Sequence, residues 1–181
     1  EMCIRDRLII DEDYRKSQSN KNKRFFYPLN STTNFKVNKF YRQITKNIQN
    51  KEKTLSIKGR KFIIKNYFNG TLRFDFSDLC AKNIGAEDYI KIAEVCNFII
   101  IENIPNFNND NSNQQQRFIT LIDILYEKNV PLLISSKSQL NSISSSMSLR
   151  DVFKRTISRL YELTSITVSY THLTLPTMLM V

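Results

Sequence analysis

Asn97-Phe98-Ile99-Ile100-Ile101-Glu102 and Val130-Pro131-Leu132-Leu133-Ile134-Ser135, with residues 114–128 between them, decide the fold. Both short runs are apolar almost throughout, which is the signature of a strand buried on both faces, as in a parallel sheet. Between them Phe118, Leu121, Ile122 and Leu125 recur at spacings of three and four, one stripe of a helix. Strand, helix and strand in that order predict a β-α-β unit with parallel strands and a right-handed crossover.

Upstream the period changes. Over residues 54–76, Leu55 and Ile57 alternate with polar residues, Gly59-Arg60 signals a turn, and Phe62 and Ile64 resume the alternation. Asn69-Gly70 is a strong hairpin signal, and Leu72, Phe74 and Phe76 follow. This predicts a small antiparallel meander with Phe74 and Phe76 on its buried face and Asp75 toward solvent. The expected class is therefore α/β, an antiparallel β-meander plus a β-α-β parallel unit, packed with helices.

Helices are expected over residues 34–50 (stripe Val37, Phe40, Tyr41, Ile44, Ile48), 86–96 (Tyr89, Ile92, Ala93, Cys96) and 149–163 (Val152, Phe153, Ile157, Leu160). Ser77 is placed to cap a short helix through Lys82, and Ser148 with Asp151 resembles a capping box. Pro28 argues against a central strand over residues 25–29. Residues 103–113 read as an Asn-rich surface loop and 135–148 as a flexible Ser-rich one.

The ends read differently. Met2-Cys3-Ile4-Arg5-Asp6-Arg7 is what a transposase mosaic-end oligonucleotide encodes in one frame, and Val168-Ser169-Tyr170-Thr171-His172-Leu173-Thr174-Leu175-Pro176-Thr177 is the same element on the other strand. Such segments are set aside before fold reasoning. The expected organisation is adapter sequence at 1–7 and 168–181, the end of an upstream domain and a connector at 8–24 (Leu8-Ile9-Ile10 as a strand tail, then a polar stretch ending Lys21-Asn22-Lys23-Arg24), and an α/β domain at 25–167. The natural segment is then an open-ended piece of a gene.

That trimming removes His172, the only histidine, and with it histidine-based catalysis and ligation. Cys80 and Cys96 remain, and two cysteines in a Lys-rich chain suggest buried thiols in a reducing compartment. Zinc, which needs four nitrogen or sulfur ligands in a structural site, is not expected. The net charge stays at +10, because Arg5 and Arg7 offset Glu1 and Asp6. A basic balance admits nucleic acid or an anionic membrane, but Asn, Ile and Lys all have AT-rich codons, so nucleic acid is not the expected partner. No apolar run approaches a membrane span.

Chemistry is sparse. The glycines Gly59, Gly70 and Gly85 are isolated, whereas a phosphate cradle needs clustered glycines and a Lys at a helix start. No catalytic residue and no metal ligand set is assigned. Glu102 stands where a Walker-B-like acid would sit, but a magnesium site also needs a phosphate-binding loop. Arg155 and Arg159, at i and i+4, could reach a nucleotide phosphate; the plainer reading is a salt-bridged surface with Glu162.

Four blocks in order carry a resemblance: Asp13-Tyr14-Arg15; Arg73-Phe74-Asp75-Phe76-Ser77-Asp78-Leu79-Cys80 with Gly85-Ala86-Glu87-Asp88-Tyr89; Arg117-Phe118-Ile119 with Leu121-Ile122-Asp123 and Leu125-Tyr126-Glu127; and Phe153 through Leu163, FKRTISRLYEL. Together they resemble the C-terminal half of the ZapE-type, AFG1-like (lactation-elevated) P-loop ATPases of the AAA+ class. Leu163 in place of Met, Gln116 in place of Arg and Ile124 in place of an acidic residue are departures. The resemblance implies ATP and Mg2+ in an intact parent whose phosphate-binding loop lies upstream of the DYR block. It also implies a missing N-terminal ATPase half as partner and a homo-oligomer. In a bacterium the setting would be the cytoplasm and the division ring, with the tubulin-like protein FtsZ; the alternative is mitochondrial, in inner-membrane protein quality control. The piece itself would not hydrolyse ATP and would serve assembly or partner contact. The competing reading is a stand-alone basic nucleic-acid-binding module without catalysis.

Overall fold

In the computed structural model, which describes residues 24–166 and 168, the meander and the β-α-β unit are one sheet. The strands are β1 (Phe25–Phe26), β2 (Lys51–Ile57), β3 (Arg60–Phe68), β4 (Thr71–Asp75), β5 (Phe98–Ile104) and β6 (Leu132–Ser136), in the order β1-β6-β5-β4-β3-β2. β1, β6, β5 and β4 run parallel, and β3 and β2 continue antiparallel from β4. Thus β4 closes the meander and opens a second parallel crossover into β5.

The helices are α1 (Ser31–Thr45), α2 (Ala86–Glu94), α3 (Ser112–Glu127) and α4 (Arg150–Leu163). α2, α3 and α4 cover one face of the sheet. There Leu72, Ile99, Ile101, Leu132 and Ile134 meet Tyr89, Phe118, Leu121, Leu125, Phe153 and Leu160. α1 covers the other face, where Val37, Tyr41 and Ile44 lie on Phe98, Ile100 and Leu133. Phe98 to Ile101 are all buried, so both sides of β5 are packed, as its unbroken apolar run requires.

Element boundaries and caps depart from the sequence reading where local hydrogen bonds decide. α1 starts at Ser31 because the Asn30 side chain accepts the Thr33 N–H at 2.9 Å. It ends at Thr45, where Lys46 and Asn47 turn left-handed, so Ile48 is exposed rather than part of the stripe. Ser77 caps nothing: its N–H and hydroxyl both go to Asp75, and Ser77–Ala81 winds as a π-helical turn. The Ser148–Asp151 capping box does not form, since Asp151 pairs with Lys154. In α4, Val152 is exposed and Thr156 and Leu163 are buried.

The first turn lies at Lys58-Gly59 rather than Gly59-Arg60, both residues at positive φ. The Ser-rich segment is fastened. Buried Gln115 donates to Ser145 Oγ and accepts the Ser146 N–H at 3.0 Å, while Ser144 exchanges hydrogen bonds with Phe107. Leu140 and Ile143 are buried. Arg24 belongs to the domain rather than to a connector. Its side chain donates to Leu132 O (3.1 Å) and Leu163 O (3.0 Å), tying β6 to the C-terminal end of α4. β1 is an edge strand of two residues followed by Pro28, as proline demands. Leu8-Ile9-Ile10 and the DYR block fall outside the described residues, as does nearly all of each terminal segment read as adapter.

Gly59 and Gly70 give a graded test. Both have positive φ, but a Cβ on Gly70 would sit 2.5 Å from Asn97 Nδ2, whereas one on Gly59 meets nothing within 4 Å. Gly59→Ala is expected to cost about 1 kcal/mol, for conformation alone, and Gly70→Ala measurably more, by urea unfolding.

Candidate functional sites at the strand ends and on the α3–α4 surface

The carboxyl ends of β4 and β5 meet in register, Asp75 opposite Glu102. Alternation sends Leu72 and Phe74 to the three-helix face, which turns Arg73 toward α1. Its guanidinium takes Glu102 in a two-pronged pair through Nε and Nη2 (the latter 3.0 Å from Oε2), donates to Asn38 Oδ1 at 2.8 Å, and stands 5.1 Å over the Tyr41 ring. The two side chains keep only 20% and 15% of their surface. Fork-to-carboxylate geometry of this kind is the strong form of ion pair.

Asp75 is held as firmly, without a cation. One oxygen accepts the Ser77 N–H and O–H at 2.9 and 2.7 Å, and the other accepts from the Asn103 side chain. Asn103 sits at φ 62°, a left-handed position that Asn tolerates. Burial alone would push the Asp75 carboxyl up, but the hydrogen bonds from Asn103 and Ser77 outweigh it and hold the pKa below the usual carboxylate range. Beside these groups a cleft of about 290 Å³ opens, with Phe62, Lys65, Asp78 and Lys82 on its rim.

This donor set does not fit a phosphate–magnesium centre. Glu102 is committed to Arg73 and Asp75 to Ser77 and Asn103, and among the described residues no three His, Cys, Asp or Glu converge on a common point. None of the residues lining the cleft is a glycine, whereas a phosphate cradle needs clustered ones. The geometry is that of a polar lock on two strand ends. Sequence reasoning saw Glu102 but not its partner; the available signal was Arg73 on the polar side of an alternating strand and Glu102 as the first charge after an unbroken apolar one.

Arg155 and Arg159 converge, but on Asp123 of α3. Arg155 Nη2 lies 3.3 Å from Oδ2, and Arg159 Nη1 donates to Oδ1. Arg159 also stacks 4.8 Å over Tyr126, whose O–H donates to Glu162 at 2.7 Å. Glu162 is thus engaged by tyrosine rather than by Arg159, and the link runs between helices rather than along one. The Arg155 side chain is 58% exposed and that of Arg159 only 21%.

Cys80 and Cys96 are free and buried, and burial pushes both thiols up to about 12. They are packing residues, not nucleophiles.

Two predictions follow from the lock. Arg73→Met leaves Glu102 charged and shielded without its cation, and is expected to cost about 2–4 kcal/mol by urea unfolding; adding Glu102→Met should recover part of that loss. Because the Asp75 pKa is depressed on folding, its contribution is present above the ordinary carboxylate pKa of about 4 and is lost as pH falls through the folded value. The stability gap between the native chain and Asp75→Asn should therefore be widest near neutrality and shrink on acidification; a gap that grows in acid contradicts the assignment.

The chain is similar to known proteins over most of its length. The AFG1-like ATPase family model matches residues 8–170. Cell division protein ZapE of Escherichia coli (strain K12) is 27% identical over 153 residues, 84% of this chain and 41% of that protein. An uncharacterized protein of Schizosaccharomyces pombe is 29% identical over 72% of this chain and 29% of its own length. Lactation elevated protein 1 homolog B of Danio rerio is 29% identical over 50% of this chain and 18% of its own. No solved structure matches. The chain thus spans about two fifths of the ZapE sequence it matches. With its mixed sheet and three of the four sequence blocks seated on β4, α2, α3 and α4, the chain belongs to the AFG1-like ATPase family.

Proposed function

We propose that this chain is the C-terminal portion of an AFG1-like ATPase, and that it supplies assembly and partner contact rather than the phosphate-gripping machinery. The observation that carries this reading is the closed state of the strand-end carboxylates. In open α/β sheets the carboxyl ends of parallel strands are where ligands bind. Here Glu102 and Asp75 already hold donors from Arg73, Asn103 and Ser77. ATP and Mg2+ would be bound by an N-terminal half that packs against this one, in a homo-oligomer. The name of the Escherichia coli relative supports a role in cell division, which would place a bacterial parent in the cytoplasm at the division ring with FtsZ as a partner; the alternative is a mitochondrial parent in protein quality control.

Within that parent, Arg155 is the residue that can reach a nucleotide phosphate, across a subunit boundary, as a charge stabiliser. It is the exposed member of the pair on Asp123, and Arg159 is the member that keeps Asp123 neutralised when Arg155 leaves.

The purified chain, freed of contaminating ATPases, should not turn over ATP. In the intact parent, Arg155→Ala should lower kcat by tenfold or more with KM for ATP and the unfolding midpoint little changed. Turnover by the isolated chain would overturn the first statement, and an unaltered kcat in the variant parent the second.

A further inference from the structure

The charges of this chain are sorted by face. Glu52 is the only acidic residue between Arg24 and Arg73, a span with twelve Lys and Arg. On the three-helix side several cations find carboxylates: Lys58 with Glu87 (2.6 Å), Arg60 with Asp88 (3.2 Å), Lys91 with Glu94 (2.9 Å) and Arg155 with Asp123. On the α1 side Arg73 is held by Glu102, but the outward-facing cations are not paired. Lys36, Lys39, Arg42 and Lys46 on α1 and its exit, and Lys61 and Lys65 on β3, are exposed, and among the described residues no carboxylate lies within ion-pairing distance of any of them.

Among the described residues α1 is the only helix on its face, and its outer side is the crest there. Val37, Tyr41 and Ile44 point into the sheet, which puts Phe35, Lys39 and Arg42, at spacings of four and three, on the crest. Phe35 is 66% exposed, and Ile48 just past the helix is 43% exposed. An aromatic ring left in water among unpaired cations has no reward from phosphates alone. It does from a surface that offers phosphates in a plane with hydrocarbon beneath them. Lysine ammonium groups, as separate point charges, suit such a spread of headgroups better than bidentate recognition of one ligand.

We infer that the outer side of α1 is a docking surface for an anionic phospholipid bilayer, with Lys36, Lys39, Arg42 and Lys46 on the headgroups and Phe35 inserted between them. Among the described residues no helix is long and apolar enough to cross a membrane, so the attachment is peripheral. The inference stands on charge placement and exposure and is independent of the ATPase reading.

Co-sedimentation of the full chain with phosphatidylcholine vesicles, with and without phosphatidylglycerol, tests it. Binding is expected only to the anionic vesicles, weakening as salt rises. The double change Lys39→Glu and Arg42→Glu should reduce that partition by an order of magnitude or more, at roughly 1 kcal/mol per lost cation. The same reversal at Lys58 and Lys91, on the opposite side, should change it by less than about twofold. Phe35→Ala should lower the fraction retained at high salt while leaving the circular dichroism spectrum unchanged. No binding to either vesicle, equal binding to both, or equal losses from the two double variants would overturn the proposal. So would DNA outcompeting the anionic vesicles with the same dependence on Lys39 and Arg42, which would assign the face to nucleic acid.

Discussion

The pairing of β4 with β5 is the constraint on which the remainder of the structure depends. Leu72 against Ile99, Phe74 against Ile101 and Asp75 against Glu102 join a locally folded antiparallel meander to a β-α-β unit. Without that parallel ladder the meander would be a three-stranded ribbon with Leu72 and Phe74 left open to water, losing the burial that drives folding. With it, Leu72 and Phe74 complete the three-helix core, and Arg73 is brought within reach of Glu102. Packing and the polar lock are therefore consequences of one register. A slip of a single residue would turn Arg73 into the core and Phe74 out of it.

The same register explains why the strand ends are quiet. Carboxylates at the tips of parallel strands are well placed for ligands, yet each here is occupied by a donor from the neighbouring strand or the following turn. Arg73 holds Glu102 and is itself braced by Asn38 and the Tyr41 ring, so α1, β4 and β5 are knit at one point. A group that is already satisfied in a low-dielectric setting gives up its partner only for something better. That is the physical basis for the proposal that this chain serves as scaffold and that nucleotide is bound elsewhere in a longer protein.

How far the chain can be read without coordinates depends on the range of the interactions involved. Periodicity placed β5, α3 and β6 within a few residues, because Phe118, Leu121, Ile122 and Leu125 all bury where the stripe predicts. Asn69-Gly70 placed the β3–β4 hairpin for the same local reason. The caps were misread at Ser77 and Ser148, where the Asp75 carboxylate two residues back and Lys154, three residues beyond Asp151, respectively, took the groups a cap would use. The contacts of Arg24 with Leu132 and Leu163 and the convergence of Arg155 and Arg159 on Asp123 join residues far apart in the chain, and no spacing rule encodes them. The parallel partner of β4 was hidden similarly, since an alternating strand does not announce its second neighbour.

Native-state hydrogen exchange on the purified chain, with and without Mg-ATP, tests the central claim most directly. The account predicts that amides of β4 and β5 open together with a single free energy, and that nucleotide leaves the protection of Arg73 to Asp75 and of Glu102 and Asn103 unchanged. A meander that exchanges independently of β5 and β6, or new protection at those strand ends on adding Mg-ATP, would contradict it.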